Sequence, residues 1–309
     1  MTPPRLRKRA VALALVLVVL SSVAGAAAFL IYRPQATLEG DYRLLGLDQR
    51  AEIVRDTYGV PHIFASTTHD LFFLQGYAIA QDRLFQLDLF RRTGRGRLSE
   101  VLGEPGLETD KFIRTIGLAR AAELDAALLS PEARLALSAY AEGVSKLIEQ
   151  RGDALPLEFV LLGYTPEPWT VTDSLVILKL QAFDLATNYG TELSRANVAA
   201  RAGPGAIPRL FPDTEPLPSA LADGSWVAVR EAFASAATLP GLDGLAGLRA
   251  LLGDAGNGLG SNCVALAGSR TASGKPLLEG DPHLSVRNPA IWYEIAMRGP
   301  GYDLSLIHI

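Results

Sequence analysis

The pair Gly260-Ser261 has the clearest chemical potential in the sequence. If the peptide bond between the two residues is cut, Ser261 becomes an N-terminal residue that carries a hydroxyl nucleophile and an α-amine together. An α-amine has a pKa of about 7.7–8.0, so a useful fraction is neutral at physiological pH and can accept the hydroxyl proton. No Ser/His/Asp spacing in the sequence offers a separate base. A surface loop is the alternative, because Gly-Ser-Asn is also common turn chemistry.

Three collinear blocks of sequence accompany this pair. The first runs from Ser261 to Leu284 and includes the motifs Gly-Ser-Arg-Thr, Ser-Gly-Lys-Pro and Asp-Pro-His-Leu. The second joins Arg55–Ile63 to Ala80–Glu100, and the third, Leu161–Trp169, ends in Thr-Pro-Glu-Pro-Trp. Together these blocks resemble the penicillin acylase family of N-terminal-nucleophile hydrolases. The resemblance spans residues 38–303.

The resemblance implies a fold class and a division of the chain. It implies the α+β, four-layer αββα fold of N-terminal-nucleophile hydrolases, represented here by the mostly helical first chain and the first strands of the second chain. The divisions that it implies are a signal peptide or membrane anchor at 1–33, a first-chain region at 34–212, a linker at 213–260 and the start of the second chain at 261–303. The glycine- and proline-rich linker is expected to have a flexible, accessible backbone.

The last six residues, 304–309, look like the translation of an adapter sequence used in library preparation. We expect them to be a cloning or assembly scar, and a short apolar strand is the alternative. Family members continue for several hundred residues beyond the nucleophile, and their oxyanion-hole donors lie in that part. The resemblance therefore implies a fragment of a longer precursor. We expect the parent to be an amidase, and the fragment to be inactive and incompletely folded.

The resemblance also implies a mechanism and a set of partners. Ser261 would first attack the Gly260 carbonyl to release its own α-amine, and would then attack the amide carbonyl of a small-molecule substrate. A β-lactam side chain and an N-acyl-homoserine lactone are both compatible substrates, and catalysis would need no cofactor. The second chain released by the cut would remain a partner. His283 matches the position beside the nucleophile in the family, where it would act through its ring or its backbone carbonyl; a turn histidine is the alternative.

The resemblance also assigns a set of substrate-binding residues. The zone that lines the acyl pocket in the family supplies the candidate substrate-binding residues Ala182, Phe183, Ala186 and Tyr189. Ordinary core packing is the alternative for the first three. Val264 stands where relatives usually have tryptophan, which affects the expected shape of the pocket.

Glu192 matches the first-chain calcium ligand of the family. Because a hard cation needs several oxygen ligands, one carboxylate is not a site. A structural calcium is therefore expected only in the full-length parent.

Composition excludes some classes of partner. The formal net charge is −4, and residues 1–33 hold five basic residues and no acid, so the remainder carries −9. No basic surface of the kind that binds nucleic acid is indicated. The single cysteine, Cys263, excludes an intrachain disulfide.

The N-terminus indicates export. A basic stretch, Arg5–Arg9, precedes 23 uncharged residues from Ala10 to Tyr32, which as a helix would span about 34 Å and could cross a bilayer. A cleaved signal peptide and a membrane anchor through residues 10–32 remain open, and a buried core helix is the third interpretation. The positive-inside rule places everything after Arg33 in the periplasm or on the outer face of the cytoplasmic membrane. A non-catalytic, membrane-tethered helical binding module is the alternative function.

Hydrophobic spacing and capping residues predict the elements that hold these residues. The predicted helices are one capped by Asp70, then 118–129, 131–150 capped by Ser130, 174–186 capped by Thr172-Asp173, and 191–202. The predicted strands are 42–47, 51–55, 60–63, 262–267, 276–279 and 292–295, with a loop at 156–169.

An arginine cluster lies near the end of the helix that follows Asp70. An ion-pair network with nearby carboxylates is favoured over an anionic-ligand site. The arginines are Arg91, Arg92, Arg95 and Arg97, and the carboxylates are Asp82, Asp88 and Glu100. His62 and His69 lack metal-like spacing and are predicted to be structural.

Overall fold

The computed structural model describes residues 4–36, 38–186, 189–212, 242–252, 260–284 and 288–308. It divides into two compact units. The first unit is built from Met1–Leu89, Leu128–Ser174 and Ile291–Ile309, and the second from Phe90–Ala127 and Leu175–Ala290. The described residues form a mixed helix-and-sheet structure in which helices predominate.

The helices are numbered in chain order. They are α1 (Pro4–Tyr32), α2 (Thr68–Arg95), α3 (Ser99–Leu102), α4 (Glu104–Ile116), α5 (Leu118–Leu128), α6 (Pro131–Arg151), α7 (Leu157–Leu162), α8 (Val171–Leu185), α9 (Tyr189–Ala202), α10 (Ile207–Leu210) and α11 (Leu242–Leu252).

The strands form two separate sheets. They are β1 (Glu52–Arg55), β2 (Pro61–Phe64), β3 (Gly260–Leu266), β4 (Leu277–His283), β5 (Tyr293–Gly299) and β6 (Tyr302–His308). One sheet has the order β1-β2-β5-β6, in which only the β2–β5 pair is parallel. The other is the antiparallel pair β3–β4.

In the first unit, α2 packs closely against α6. A Cβ added at Gly76 would collide with the carbonyl oxygen of Tyr140, and one added at Gly143 would collide with that of Phe73. Glycine at both positions therefore allows the two backbones to approach each other. The start of α6 follows the sequence prediction, since Ser130 Oγ accepts a hydrogen bond from Ala133 N at 3.2 Å and Pro131 follows as the first helical residue.

Asp70 does not cap α2, contrary to the prediction. The helix begins at Thr68, and Thr67 Oγ1 accepts the hydrogen bond from Asp70 N at 3.0 Å. The Asp70 side chain is fully buried and instead accepts the backbone N–H groups of Asp48 at 2.8 Å and Gln49 at 3.0 Å. Asp70 thus lies inside the first turn, and its side chain binds the preceding segment rather than the helix end.

Other elements also differ from the sequence prediction. Residues 42–47 contain no strand, and the loop predicted at 156–169 contains the helix α7. The helix α8 begins three residues earlier than predicted, because Thr170 and Asp173 form a reciprocal cap. Thr170 N and Thr170 Oγ1 each donate to Asp173 Oδ2 at 2.8 Å, and Asp173 N donates to Thr170 Oγ1 at 3.3 Å. The predicted strands at 51–55 and 60–63 and the predicted helix at 118–129 are confirmed.

Part of the predicted linker is a packed helix. In the second unit, α11 lies on α4: Leu248 is buried, and a Cβ at Gly244 would collide with the carbonyl oxygen of Glu108. Thr109 Oγ1 donates to the Gly244 carbonyl oxygen at 3.3 Å. The expectation of a flexible, accessible backbone is therefore wrong for residues 242–252, while 213–241 and 253–259 lie outside the described residues.

The sheet of the first unit uses the predicted strand near residue 292 and the terminal hexapeptide. The strand β5 alternates buried and exposed residues, and Ile295 and Met297 are almost fully buried. Most of the hexapeptide 304–309 lies in β6, which pairs with β5, so the apolar strand is its observed conformation. The origin of this hexapeptide stays a prediction.

The helix α1 has the properties of a membrane-directed segment. Its stretch Ala12–Tyr32 has a mean hydropathy of 2.6, and none of it is buried. Length and composition therefore allow it to cross a bilayer, and a signal sequence near an N-terminus has the same properties.

Candidate active site

The hairpin formed by β3 and β4 carries the Gly260-Ser261 pair. Seven residues of β3 pair with seven of β4 in an antiparallel ladder. The connecting turn is closed by Thr271 Oγ1, which donates to the Lys275 carbonyl oxygen at 2.7 Å, and by Gly274, whose φ of +70° favours glycine. Every residue of both strands is exposed, so the bond between Gly260 and Ser261 is accessible in this unit.

His283 is brought next to the proposed cut. In the ladder, Gly260 lies opposite His283 and Ser261 lies opposite Pro282. The register therefore places His283 one position from the residue that faces Ser261. Because side chains alternate between faces along a strand, the Ser261 and His283 side chains point to opposite faces of the ladder.

The His283 ring has a different partner. Its Nε2 lies 2.8 Å from Asp281 Oδ2, on the same face of β4. Both side chains are exposed. The arrangement orients the imidazole away from the Ser261 hydroxyl, so the backbone of His283 is the part of the residue that lies beside Gly260. The ring is therefore not placed to act on the Ser261 hydroxyl, and a catalytic role for His283 stays a prediction.

The candidate pocket residues lie at the end of α8 and the start of α9. Ala182 and Ala186 are exposed and Phe183 is half-buried, so none of the three is ordinary buried core. The ring of Phe183 meets Phe112 of α4 edge to face, with centroids 5.9 Å apart. Tyr189 is the first residue of α9, and its side chain lies outside the described part of the structure.

Glu192 is placed in the first turn of α9. Its Oε1 accepts a hydrogen bond from Arg195 Nη1 at 3.1 Å, and the carboxylate is exposed. Within the described residues, Glu192 belongs to no group of three His, Cys, Asp or Glu side chains close enough to share a cation. The residues present therefore supply one oxygen-bearing group and not a calcium cage, and the calcium stays a prediction.

A cluster around His69 was not recognised from the sequence. Its Nδ1 lies 3.2 Å from Asp70 Oδ1 and 3.8 Å from Asp48 Oδ2, and its Nε2 lies 3.1 Å from Glu142 Oε2. Asp48, His69 and Asp70 could in principle share a cation. Both Asp70 oxygens, however, already accept backbone N–H groups, so the geometry fits an ion-pair cluster better. Glu142 is 73 residues away in sequence, which is why spacing alone gave no signal.

The contacts in the His69 cluster favour the charged forms of both His69 and Asp70. Burial alone would lower the pKa of His69, but its hydrogen bonds to Glu142 and Asp70 and the charges of Asp48 and Glu142 raise that pKa overall. Burial would raise the pKa of Asp70, but hydrogen bonds from the Asp48 backbone, from His69 and from the Gln49 backbone lower it. The predicted structural role of His69 agrees with this arrangement.

The arginine cluster forms ion pairs, as the sequence indicated. Arg92 Nη1 lies 2.9 Å from Glu100 Oε2, and Arg97 Nε lies 2.8 Å from Glu100 Oε1. Asp82 pairs with Arg55 at 2.7 Å, and Asp88 accepts a hydrogen bond from the Tyr164 hydroxyl at 2.7 Å. The ion-pair interpretation is confirmed for Arg92 and Arg97, while the Arg55 pairing was missed because it crosses from β1 to α2.

A mixed helix-and-sheet chain with an exposed Gly-Ser pair at the start of a hairpin has a match among known families. Residues 50–305 match the penicillin amidase family. The chain belongs to this family.

Two curated relatives and one solved structure illustrate the similarity. The acyl-homoserine lactone acylase QuiP of Pseudomonas aeruginosa is 33% identical over 280 residues, which cover 85% of this chain and 31% of the relative. The penicillin acylase 2 proenzyme of a Pseudomonas species is 34% identical over 269 residues, which cover 86% of this chain and 34% of the relative. A thermostable penicillin G acylase from Alcaligenes faecalis is similar in structure, with a TM-score of 0.46 and 32% identity over 55% of this chain and 94% of that one. The chain thus spans about a third of the length of these curated relatives.

Proposed function

We propose that the protein containing this chain is an amide hydrolase whose nucleophile is Ser261, freed as an N-terminal residue by cleavage after Gly260. The observation that carries the proposal is the family match across 50–305, which includes an exposed Gly260-Ser261 bond at the start of β3. Exposure matters because the scissile peptide must be reached by the hydroxyl and by water.

Maturation would begin within the hairpin. The Ser261 Oγ attacks the carbonyl carbon of Gly260, the bond to the Ser261 nitrogen breaks, and the nitrogen takes up a proton to become an amine. Water then hydrolyses the resulting ester, which leaves a carboxylate on Gly260 and a free α-amine on Ser261.

The same residue would then act on the substrate. The neutral α-amine accepts the proton of the Ser261 hydroxyl as Oγ attacks the substrate amide carbonyl, and the proton passes to the leaving amine. Water resolves the acyl-enzyme and restores the hydroxyl. His283 would contribute through its backbone beside the nucleophile, since its ring is held by Asp281 on the other face of the ladder.

The substrate class follows from the names of the relatives. They are an acyl-homoserine lactone acylase and a penicillin acylase, so the proposed substrate is an amide that joins an acyl chain to an amino group carried by a small lactone or β-lactam ring. The exposed Ala182 and the half-buried Phe183 on α8 are apolar, and such side chains suit an acyl group. The fold would be the αββα architecture of N-terminal-nucleophile hydrolases.

Two accessory features complete the proposal. Glu192 would contribute one carboxylate to a structural calcium site whose other ligands lie elsewhere in the parent protein; calcium would stabilise the fold. The helix α1 would direct the protein to the periplasm, either as a cleaved signal or as an anchor.

N-terminal sequencing of the purified parent protein tests the proposal. We expect two chains, of which one begins at Ser261, and a single uncut chain in Ser261→Ala. Ser273→Ala, which changes a serine in the turn of the same hairpin, is the matched control and should be cut normally. An uncut wild-type protein, or a mature chain that begins elsewhere, would contradict the proposal and leave the membrane-tethered binding module as the alternative.

A further inference from the structure

Three side chains from distant parts of the sequence meet inside the first unit. The Tyr293 hydroxyl donates to Asp82 Oδ2 at 2.5 Å. Arg55 donates two hydrogen bonds to the same carboxylate, from Nη1 to Oδ2 at 2.7 Å and from Nη2 to Oδ1 at 3.2 Å. Tyr293 is only 9% exposed, and the Arg55 side chain is 12% exposed. We call these three residues the clasp.

The clasp combines strong types of interaction. A bidentate arginine–carboxylate pair and a short hydroxyl–carboxylate bond are both charge-assisted, and partial burial limits competition from water. Burial and the negative charge of Asp82 both raise the pKa of Tyr293, so its hydroxyl remains a donor across the physiological range. The guanidinium of Arg83, where α2 departs from helical geometry, lies 5.8 Å from the centre of the Tyr293 ring.

The clasp joins opposite sides of the proposed cut. Arg55 and Asp82 precede the Gly260–Ser261 bond, whereas Tyr293 follows it. The same strand that carries Tyr293 pairs with β2 upstream of the cut on one side and with β6 on the other. The buried residues of β5 therefore depend on a surface built by the upstream part of the chain.

We infer that Arg55, Asp82 and Tyr293 hold the polypeptide after Ser261 to the polypeptide before Gly260 when the bond between them is broken. The inference rests on the proposed function for the occurrence of that cut. The partner that it defines is the segment of the second chain that contains β5. Its docking surface is the exposed edge that β2 would otherwise present, together with the Asp82 carboxylate of α2.

Cleavage changes what the clasp contributes. In the uncut chain, the covalent link keeps Tyr293 at a high effective concentration near Asp82, so loss of one hydrogen bond has a limited effect. In the cut protein the same contact acts between separate molecules. Loss of the hydroxyl should then appear directly as weaker association of the two pieces.

The test uses the parent protein in the Ser261→Ala background, with a recognition site for a sequence-specific protease placed between Leu252 and Gly260. After cutting, the pieces are separated by size-exclusion chromatography at increasing urea concentrations, in mild detergent because of α1. For Tyr293→Phe we expect about a tenfold higher dissociation constant between the pieces. Tyr302→Phe is the control: it removes the same atom from β6, and its described contact is the ring against Phe72, with centroids 5.3 Å apart.

Each outcome of the test decides the inference. The inference would be overturned if the pieces of the cut Tyr293→Phe and Tyr302→Phe proteins had equal dissociation constants. If the uncut Tyr293→Phe chain does not fold by circular dichroism, Arg55→Lys takes its place, because lysine keeps the charge but loses the bidentate grip. The engineered cut does not use Ser261, so failure of self-cleavage in the parent would refute the proposed function and leave the result on the clasp intact.

Discussion

Gly260 and His283 lie directly opposite each other in the antiparallel β3–β4 ladder. This pairing brings the residue before the proposed nucleophile next to a histidine 23 positions further along the chain. It also fixes the faces of the hairpin, so that the His283 ring and the Ser261 hydroxyl point to opposite sides. A role for His283 must therefore be separated into a backbone part and a ring part.

Replacement of the His283 ring should have a much smaller effect than loss of the nucleophile. In the parent protein, we expect His283→Ala to lower the rate of amide hydrolysis by less than about tenfold, because the ring contacts Asp281 and not Ser261. Ser261→Ala should abolish turnover. Hydrolysis of a chromogenic acyl amide measures both. A loss in His283→Ala as large as that in Ser261→Ala would show that the ring acts in catalysis.

The His69 cluster should make stability depend on pH. The pKa of His69 in the folded state is raised above its ordinary value near 6.5. The stabilisation that protonated His69 gives the folded state is therefore fully present below pH 6.5. The contribution is lost as the pH rises through the folded-state pKa. The difference in unfolding free energy between the wild type and His69→Asn should therefore be larger at about pH 5.5 than at about pH 8.5. Urea unfolding at the two pH values measures it.

His62→Asn is the control for this prediction. His62 also lies near a carboxylate, with its Nε2 3.5 Å from Asp56 Oδ2, but it does not have the three acidic neighbours of His69. If the unfolding free energies of the wild type and His69→Asn depended on pH in the same way, the predicted stabilisation by protonated His69 would be wrong.

Packing of α11 on α4 should be sensitive to a side chain added at the contact between the two helices. Gly244→Val places side-chain atoms against the Glu108 carbonyl oxygen, and we expect a loss of about 1–3 kcal/mol in unfolding free energy. Ala250→Val introduces the same residue at an exposed position of the same helix and should cost much less. Thermal or urea unfolding distinguishes the two variants. Equal losses of unfolding free energy in the two variants would contradict a stabilising role for the close approach of α11 to α4.

Export should depend on the apolar stretch of α1. A reporter enzyme that is active only in the periplasm, fused after Gly40, should be active because the charge distribution places this point outside the cytoplasmic membrane. Deletion of residues 10–32 from the same fusion should abolish reporter activity. Activity of a cytoplasmic reporter at the same position would contradict the topology.

The sequence determined the features whose causes are local. The cap of α6 at Ser130, with Pro131 after it, needs only residues that are neighbours in the chain. The strands at 52–55 and 61–64 follow from β-forming residues on either side of a turn at Asp56–Gly59. The family blocks, including Gly260-Ser261, are likewise contiguous stretches that remain recognisable without any fold.

Tertiary structure decided the contacts that join distant segments. Asp82 and Tyr293 are 211 positions apart, and neither periodicity nor spacing relates them. The linker segment 242–252 is a packed helix because Gly244 and Gly247 let it approach α4, although glycine-rich composition by itself favours a flexible chain. Propensity is summed along the chain, whereas burial depends on which surfaces meet in space. That difference is why the chemistry of Ser261 could be inferred from sequence and the surroundings of Tyr293 and His69 could not.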